Sequence, residues 1–230
     1  MRGRVLPLPT LLARWVYGMG MVSWRYLWMT TPLHRTVRRS GTPDGPPELA
    51  EGVDRDGLQP AEVGVGPLFR RRFRVRVRDA RLDAEALMGW MRSDMEHFVP
   101  REVVRVHGAG HDGPLRVNDE LVVDMPGPWN GPVRVVSTGP THLRLATLEG
   151  HLEAGQIEFR ARDEDGHLTF EIEAWARPGS ALVHLLYSRL RLAKEIQLNM
   201  WVRFCRAAAR AAGGRPSHGI EIETVEGPAS

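Results

Sequence analysis

A single cysteine, Cys205, stands in a chain of 230 residues, so no internal disulfide can form and no cysteine-built zinc cluster is available. That scarcity fits a reducing compartment. Lysine is as scarce: Lys194 is the only one, and arginine carries the rest of the positive charge. Catalytic spacings are missing as well. The chain has no Gly-x-Ser-x-Gly, no His-Glu-x-x-His and no phosphate loop. Val63-Gly64-Val65-Gly66 precedes a strand pattern and lacks the third glycine and the helix of a dinucleotide loop. What is present suits a folded core: 42% hydrophobic and 26% charged residues, enough to need neither metal nor disulfide.

Charge is distributed unevenly. Residues 1–39 hold seven arginines and no acid, which leaves the remainder of this +3 chain net acidic by four. Residues 11–29 have the pattern of a helix, with Thr10 as N-cap and Pro32 closing it off. We therefore expect residues 1–38 to be a basic, aromatic helical arm. Residues 39–65, rich in Pro, Gly and acids without a period, are expected to be a linker. Residues 66–213 form the expected domain, and 214–230 a flexible tail.

Within the domain the periods are clear. Phe69, Phe73, Val75 and Val77 alternate with Arg70, Arg72, Arg74, Arg76 and Arg78, which predicts a half-buried strand with a charged outer face. Residues 82–98 follow with helical spacing at Leu87, Trp90, Met91, Met95 and Phe98. Six short strands are then predicted at 103–107, 115–124, 133–137, 142–147, 156–162 and 167–176, punctuated by Gly, Pro and Asp. In the last pair Ile157, Phe159, Phe170, Ile172 and Ala174 should face the core. Glu158, Arg160, Glu171 and Glu173 should face solvent and pair with the arginines of the first strand. Residues 180–212 predict a long helix ended by Gly213-Gly214.

Strand, helix, six strands, long helix is an α+β order. It resembles the helix-grip arrangement of START-like and plant-allergen-like (Bet v 1-like) proteins: a curved antiparallel sheet of about seven strands closed over a long C-terminal helix, with an ordinary two-layer α+β sandwich without a cavity as the alternative. The first strand is expected at a sheet edge.

Two segments carry a second resemblance. Gly150-His151-Leu152-Glu153-Ala154-Gly155-Gln156-Ile157-Glu158-Phe159 and Phe170-Glu171-Ile172-Glu173-Ala174-Trp175-Ala176-Arg177-Pro178 resemble the bacterial and plant family called domain of unknown function 1990, over residues 65–212. The family has no assigned reaction, so the resemblance implies domain identity and no catalytic residues.

Several residues are candidates for binding. His151 and Glu153 lie two apart in a glycine-bounded connection, where they could act as acid and base or, as turn residues, satisfy backbone groups. Trp129 sits in a proline-glycine hairpin tip and could gate a cavity mouth. Trp175, Tyr187, Gln197 and Met200 lie on the last strand and the long helix. Gln197 interrupts an apolar stripe, where a cavity or a backbone carbonyl must satisfy its amide. His107, His111 and Asp112 share a flexible loop whose geometry is not preset for a metal, so no metal and no cofactor is expected.

The leading expectation is a non-catalytic pocket protein for an apolar or amphipathic, lipid-like small molecule. An acid–base enzyme using His151 with Glu153 on a carbonyl or ester is the alternative. A third reading makes the arm an interaction module on an anionic membrane surface, through Arg14, Trp15, Trp24, Arg25 and Trp28. Docking of the same helix on the domain competes with it. Nucleic acid is not expected as a partner, because no base-stacking platform accompanies the arginines. The address these features imply is cytoplasmic, with peripheral attachment at the inner face of the membrane as its variant.

Overall fold

A computed structural model describes residues 33–38, 44–100, 104–108, 110–124, 130–180 and 191–227. Nine strands, in the order β1-β9-β2-β8-β7-β6-β5-β4-β3, make one mixed sheet. They are β1 (Leu33–Arg38), β2 (Phe69–Arg78), β3 (Arg105–Gly108), β4 (Glu120–Asp124), β5 (Asn130–Gly139), β6 (His142–Thr147), β7 (Glu153–Glu164), β8 (His167–Pro178) and β9 (Arg215–Glu226). Two α-helices accompany them, α1 (Ala84–Ser93) and α2 (Arg191–Ala211). The fold class is therefore α+β, as expected, with more strands than the sequence suggested.

Period-two patterning builds the centre of the sheet. Phe73, Val75 and Val77 of β2 are fully buried on one face, beside Phe170 and Ile172 of β8 and Phe159 of β7. We call this the inner face, because α1 and α2 pack on it. The β7–β8 turn is Asp165-Gly166 with both φ positive (51° and 73°), the two-residue connection whose twist matches antiparallel strands. Asp83 caps α1 by accepting the Ala86 N–H at 2.8 Å. The helix expected over 82–98 stops at Ser93, because Asp94 leaves helical geometry and starts a 3₁₀ turn, accepting the His97 N–H on its side chain.

Phe204 of α2 forms the middle of the inner core. Its ring lies 5.0 Å from Phe159, 5.9 Å from Phe98 and 6.1 Å from Phe170, between centroids. Cys205 is buried beside it, and burial pushes its thiol pKa up, so it packs as a small apolar group. Of the helix expected over 180–212, residues 191–211 are observed; Ser180 is a bend, and 181–190 lie outside the described residues.

Five expectations are corrected. The tail at 214–230 is a strand over most of its length. In β9, Ile220 and Ile222 are 0% and 2% exposed on the inner face, while Glu221 and Glu223 alternate outward. β9 pairs antiparallel with β2, so the first predicted strand is interior and not at an edge. Residues 33–38, placed with the helical arm, are the strand β1, which pairs parallel with β9 and makes the sheet mixed. The remainder of the arm, with the helix at 11–29, lies outside the described residues. Residues 115–119, expected to be strand, are turn and coil, with Asn118 at φ 74°.

The fifth correction concerns the linker. Residues 44–66 form a strap along the outer face of β4–β6. Arg134 donates to the carbonyls of Asp54 (3.0 Å) and Asp56 (2.7 Å), and Arg144 donates to that of Glu48 (3.2 Å). Asn118 closes the turn of the strap, accepting the Asp54 N–H at 2.8 Å and donating to the Gly52 carbonyl at 3.1 Å. Val53 packs with Leu49 and Leu58 on Val136 and Ala146, a small second core on the opposite side of the sheet. Side chains from distant strands thus satisfy the strap's backbone, which fixes a segment that has no period of its own.

Candidate functional site

The strap ends on the segment that carries the family resemblance. Gln59 Nε2 donates to the carbonyls of His151 (3.0 Å) and Glu153 (3.1 Å). Its backbone N–H meets the Thr147 carbonyl at 2.8 Å, and its own carbonyl accepts from Thr147 Oγ1 at 2.9 Å. Thr147 Oγ1 also accepts the Gly155 N–H at 2.9 Å. Farther along, Arg177 donates to the Gly66 carbonyl at 2.8 Å, and the Val65 N–H to that of Pro178 at 2.8 Å. The whole is a clasp that holds residues 57–66 to one end of the sheet.

His151 belongs to this clasp. Its Nδ1 lies 2.9 Å from the Glu153 backbone nitrogen and 3.0 Å from the Glu153 carbonyl oxygen, so that ring nitrogen is engaged by main chain. Burial lowers the imidazole pKa, against an upward pull from Glu153, and the ring is therefore neutral at neutral pH. The Glu153 carboxylate lies 3.8 Å from Arg71 Nη1. The carboxylate acts on the imidazole through its charge, but the Nδ1 hydrogen bonds of His151 run to the Glu153 main chain and serve the turn.

Gly155 shows why the motif contains glycine there. At φ 154°, a Cβ would lie 1.9 Å from the Trp175 carbonyl oxygen on β8. Gly155→Ala is expected to destabilise the domain by about 2 kcal/mol, combining overpacking with backbone strain. A urea titration should show the midpoint falling with the m-value unchanged. An unaltered midpoint would mean that β7 and β8 can separate here at no cost.

The sheet's other face carries a dense array of ion pairs. Columns of charge alternate from strand to strand: Glu221 and Glu223 on β9, Arg70, Arg72 and Arg74 on β2, Glu171 and Glu173 on β8, then Arg160 and Arg162 on β7. Glu173 accepts from Arg70 Nε at 2.6 Å, from Arg72 Nη2 at 3.0 Å, and from Arg160. Glu171 accepts both Nε and Nη2 of Arg74, at 2.9 and 2.8 Å. The expected pairing of these acids with the first strand's arginines is thus observed. Solvent exposure is not: Glu171 and Glu173 are each 2% exposed. For Glu173, desolvation alone would raise the carboxyl pKa, yet the hydrogen bond from Arg70 and the charges of Arg72 and Arg70 outweigh it, and the net shift is down.

The sequence-selected residues scatter over this frame. Trp175 shares the parity of Glu173 and therefore lies on the outer face, away from α2, next to Gln156 across the β7–β8 pair. Its indole nitrogen and Gln156 Oε1 are buried with no hydrogen-bond partner. Met200 is half-buried on α2. Trp129, Tyr187 and the Gln197 side chain lie outside the described residues, as do Arg14, Trp15, Trp24, Arg25 and Trp28. His107 and His111 attach to different carboxylates, Asp124 at 3.7 Å and Asp119 at 3.0 Å. Among the described residues no group of three His, Cys, Asp or Glu side chains could hold a metal ion. No described helix is long and apolar enough to cross a membrane.

Gln59 and Thr147 escaped sequence reasoning because the clasp joins positions about ninety residues apart, with no local spacing to reveal it. His34, Arg38, Glu221 and Glu223 escape it because their segments have the sequence pattern of an arm and a tail, and only the parallel pairing of β1 with β9 brings them together.

No curated protein matches this sequence. Among solved structures, a hypothetical protein from Helicobacter pylori is similar at 13% identity and TM-score 0.46, covering 61% of this chain and 87% of its own. A Thermobifida fusca protein matches at 15% identity and TM-score 0.46, over 63% and 93%. Truncated norcoclaurine synthase from Thalictrum flavum matches at 10% identity and TM-score 0.46, over 64% and 94%. The family model for the domain of unknown function DUF1990 matches residues 60–211, from just after Gln59 to the end of α2. The chain belongs to the DUF1990 family.

Proposed function

We propose that this protein binds an apolar or amphipathic, lipid-like small molecule between the inner sheet face and α2, in a helix-grip arrangement. One observation carries the reading. The apolar inner face continues past the Phe204 cluster to Val106, Val123 and Ile157, with Trp201 on α2, and these side chains are only partly covered. Partly covered aliphatic and aromatic surface of this kind gains from an apolar guest, at about 25 cal/mol per Å² removed from water. Trp129 and Gln197 keep the gating and polar roles that their sequence positions suggest. His151 and Glu153 are assigned to the clasp instead of the ligand, since the imidazole hydrogen bonds serve the turn. A binding role therefore fits the geometry better than acid–base catalysis.

A brominated long-chain carboxylic acid should quench the fluorescence of the protein saturably, and Trp201→Phe should remove most of that quenching. Trp201→Phe quenched as strongly as the native chain would place the acyl chain elsewhere and overturn the assignment of this face.

A further inference from the structure

An open groove of about 580 Å³ runs along the outer face where β1, β9 and β2 meet, remote from the inner face discussed above. His34, Arg38, Arg72, Arg74, Glu221 and Glu223 line it, together with His218. Two of its arginines are held rigidly from below. Arg74 gives Nε and Nη2 to Glu171, and Arg72 gives Nη2 to Glu173, carboxylates that are themselves 2% exposed. Each guanidinium directs Nη1 toward β9, while Arg72 Nε is buried 3.7 Å from Glu171 without a hydrogen bond. Arg72 Nη1 is 3.7 Å from Glu223 and Arg74 Nη1 is 3.8 Å from Glu221, distances too long for hydrogen bonds. Arg38 Nε approaches Glu223 from the other side, again at 3.7 Å.

Three guanidinium groups thus converge on the groove with donors that its own carboxylates attract but do not hydrogen-bond. Glu221 and Glu223 are 49% and 35% exposed at their side chains and are free to turn to water. Alternate residues on β2 present Arg72 and Arg74 about 7 Å apart, a spacing that long guanidinium side chains close on one tetrahedral oxyanion. His34 is tied to the His218 carbonyl at 2.9 Å, which fixes the groove's end. We propose that this groove binds a phosphate-class anion through Arg72, Arg74 and Arg38, with Glu221 and Glu223 as the intramolecular groups that it displaces.

The chemistry is that of a phosphate ester, carried either by a soluble molecule or by a lipid headgroup. Isothermal titration of the full chain with glycerol phosphate at low salt, beside sedimentation with phosphatidic acid vesicles in phosphatidylcholine, separates the two sources. Glu221→Gln/Glu223→Gln, on exposed positions, should tighten binding about three- to tenfold by removing the internal competitors. Arg38→Gln should weaken it by about as much. Binding of glycerol phosphate assigns a soluble ligand, and binding of vesicles alone assigns a headgroup. Binding to neither, or affinities unchanged in both variants while circular dichroism reports a native fold, overturns the proposal.

Discussion

A chain ending at Gly214 is expected not to fold. β9 lies between β1 and β2 in the sheet, so its loss removes the only partner of β1 among the described residues and opens one edge of β2. Ile220 and Ile222 leave the core, each contributing about 1.5–3 kcal/mol of burial. The ladder to β2 over Phe69–Arg78 is lost with them. Glu221 and Glu223 also leave the arginine columns, although these exposed pairs contribute little. The total approaches the entire stability of a domain, about 5–15 kcal/mol. An exposed β2 with alternating Phe and Val would, in addition, favour aggregation. Far-ultraviolet circular dichroism and size-exclusion chromatography should show an unfolded or aggregated chain. A monomer with a cooperative melt near that of the native chain would reduce β9 to an accessory.

Glu173→Ala is expected to cost about 3–4 kcal/mol, which in a protein of this size lowers Tm by roughly 6–16 °C. Removing this buried carboxylate takes a hydrogen-bonded partner from Arg70, Arg72 and Arg160 at once, and leaves them the longer contacts to Asp44 (3.4 Å), Glu171 (3.7 and 3.4 Å), Glu223 (3.7 Å) and Glu158 (3.5 Å). The figure is set toward the low end of the range for a broken buried pair because the arginines remain about a quarter exposed, and water screens part of the loss. The same carboxylate gives a pH dependence of definite sign. Its folded pKa lies below the ordinary value of 4.5, so its contribution is present above that pH. It is lost as pH falls from 4.5 through the depressed folded value. The native chain should therefore lose more stability than Glu173→Gln over that acid window, and the difference between the two should shrink. Parallel pH curves would mean that the carboxyl titrates alike in the folded and unfolded chain, with no downward shift in the fold.

How much of this was readable in advance depends on where each segment's partners lie. β2, β7 and β8 announced themselves by alternation, and the Asp165-Gly166 turn fixed the register of the last hairpin. The pairing of Glu171 and Glu173 with arginines followed from parity alone. Their burial did not, since it depends on arginine side chains from both neighbouring strands lying over them. β9 has the same alternation at Ile220–Ile222, but that apolar pattern spans little of the strand, which follows a helix-ending Gly-Gly and pairs with a strand about 145 residues away. The strap had no period to read because Arg134, Arg144 and Asn118 hold its backbone, while the few side chains of its own that pack, Leu49, Val53 and Leu58, follow no regular spacing. His151 and Glu153 were recognisable as a motif. Only the positions of Gln59 and Gly155 show that the motif shapes a junction.

The central claim, an apolar guest on the inner face, is tested most directly by native mass spectrometry of the full chain purified from its host. The account predicts a mass above that of the polypeptide, with organic extraction releasing an apolar or amphipathic molecule in roughly one-to-one proportion. A mass equal to the bare polypeptide, with nothing extractable and no uptake of long-chain lipids on incubation, would contradict it.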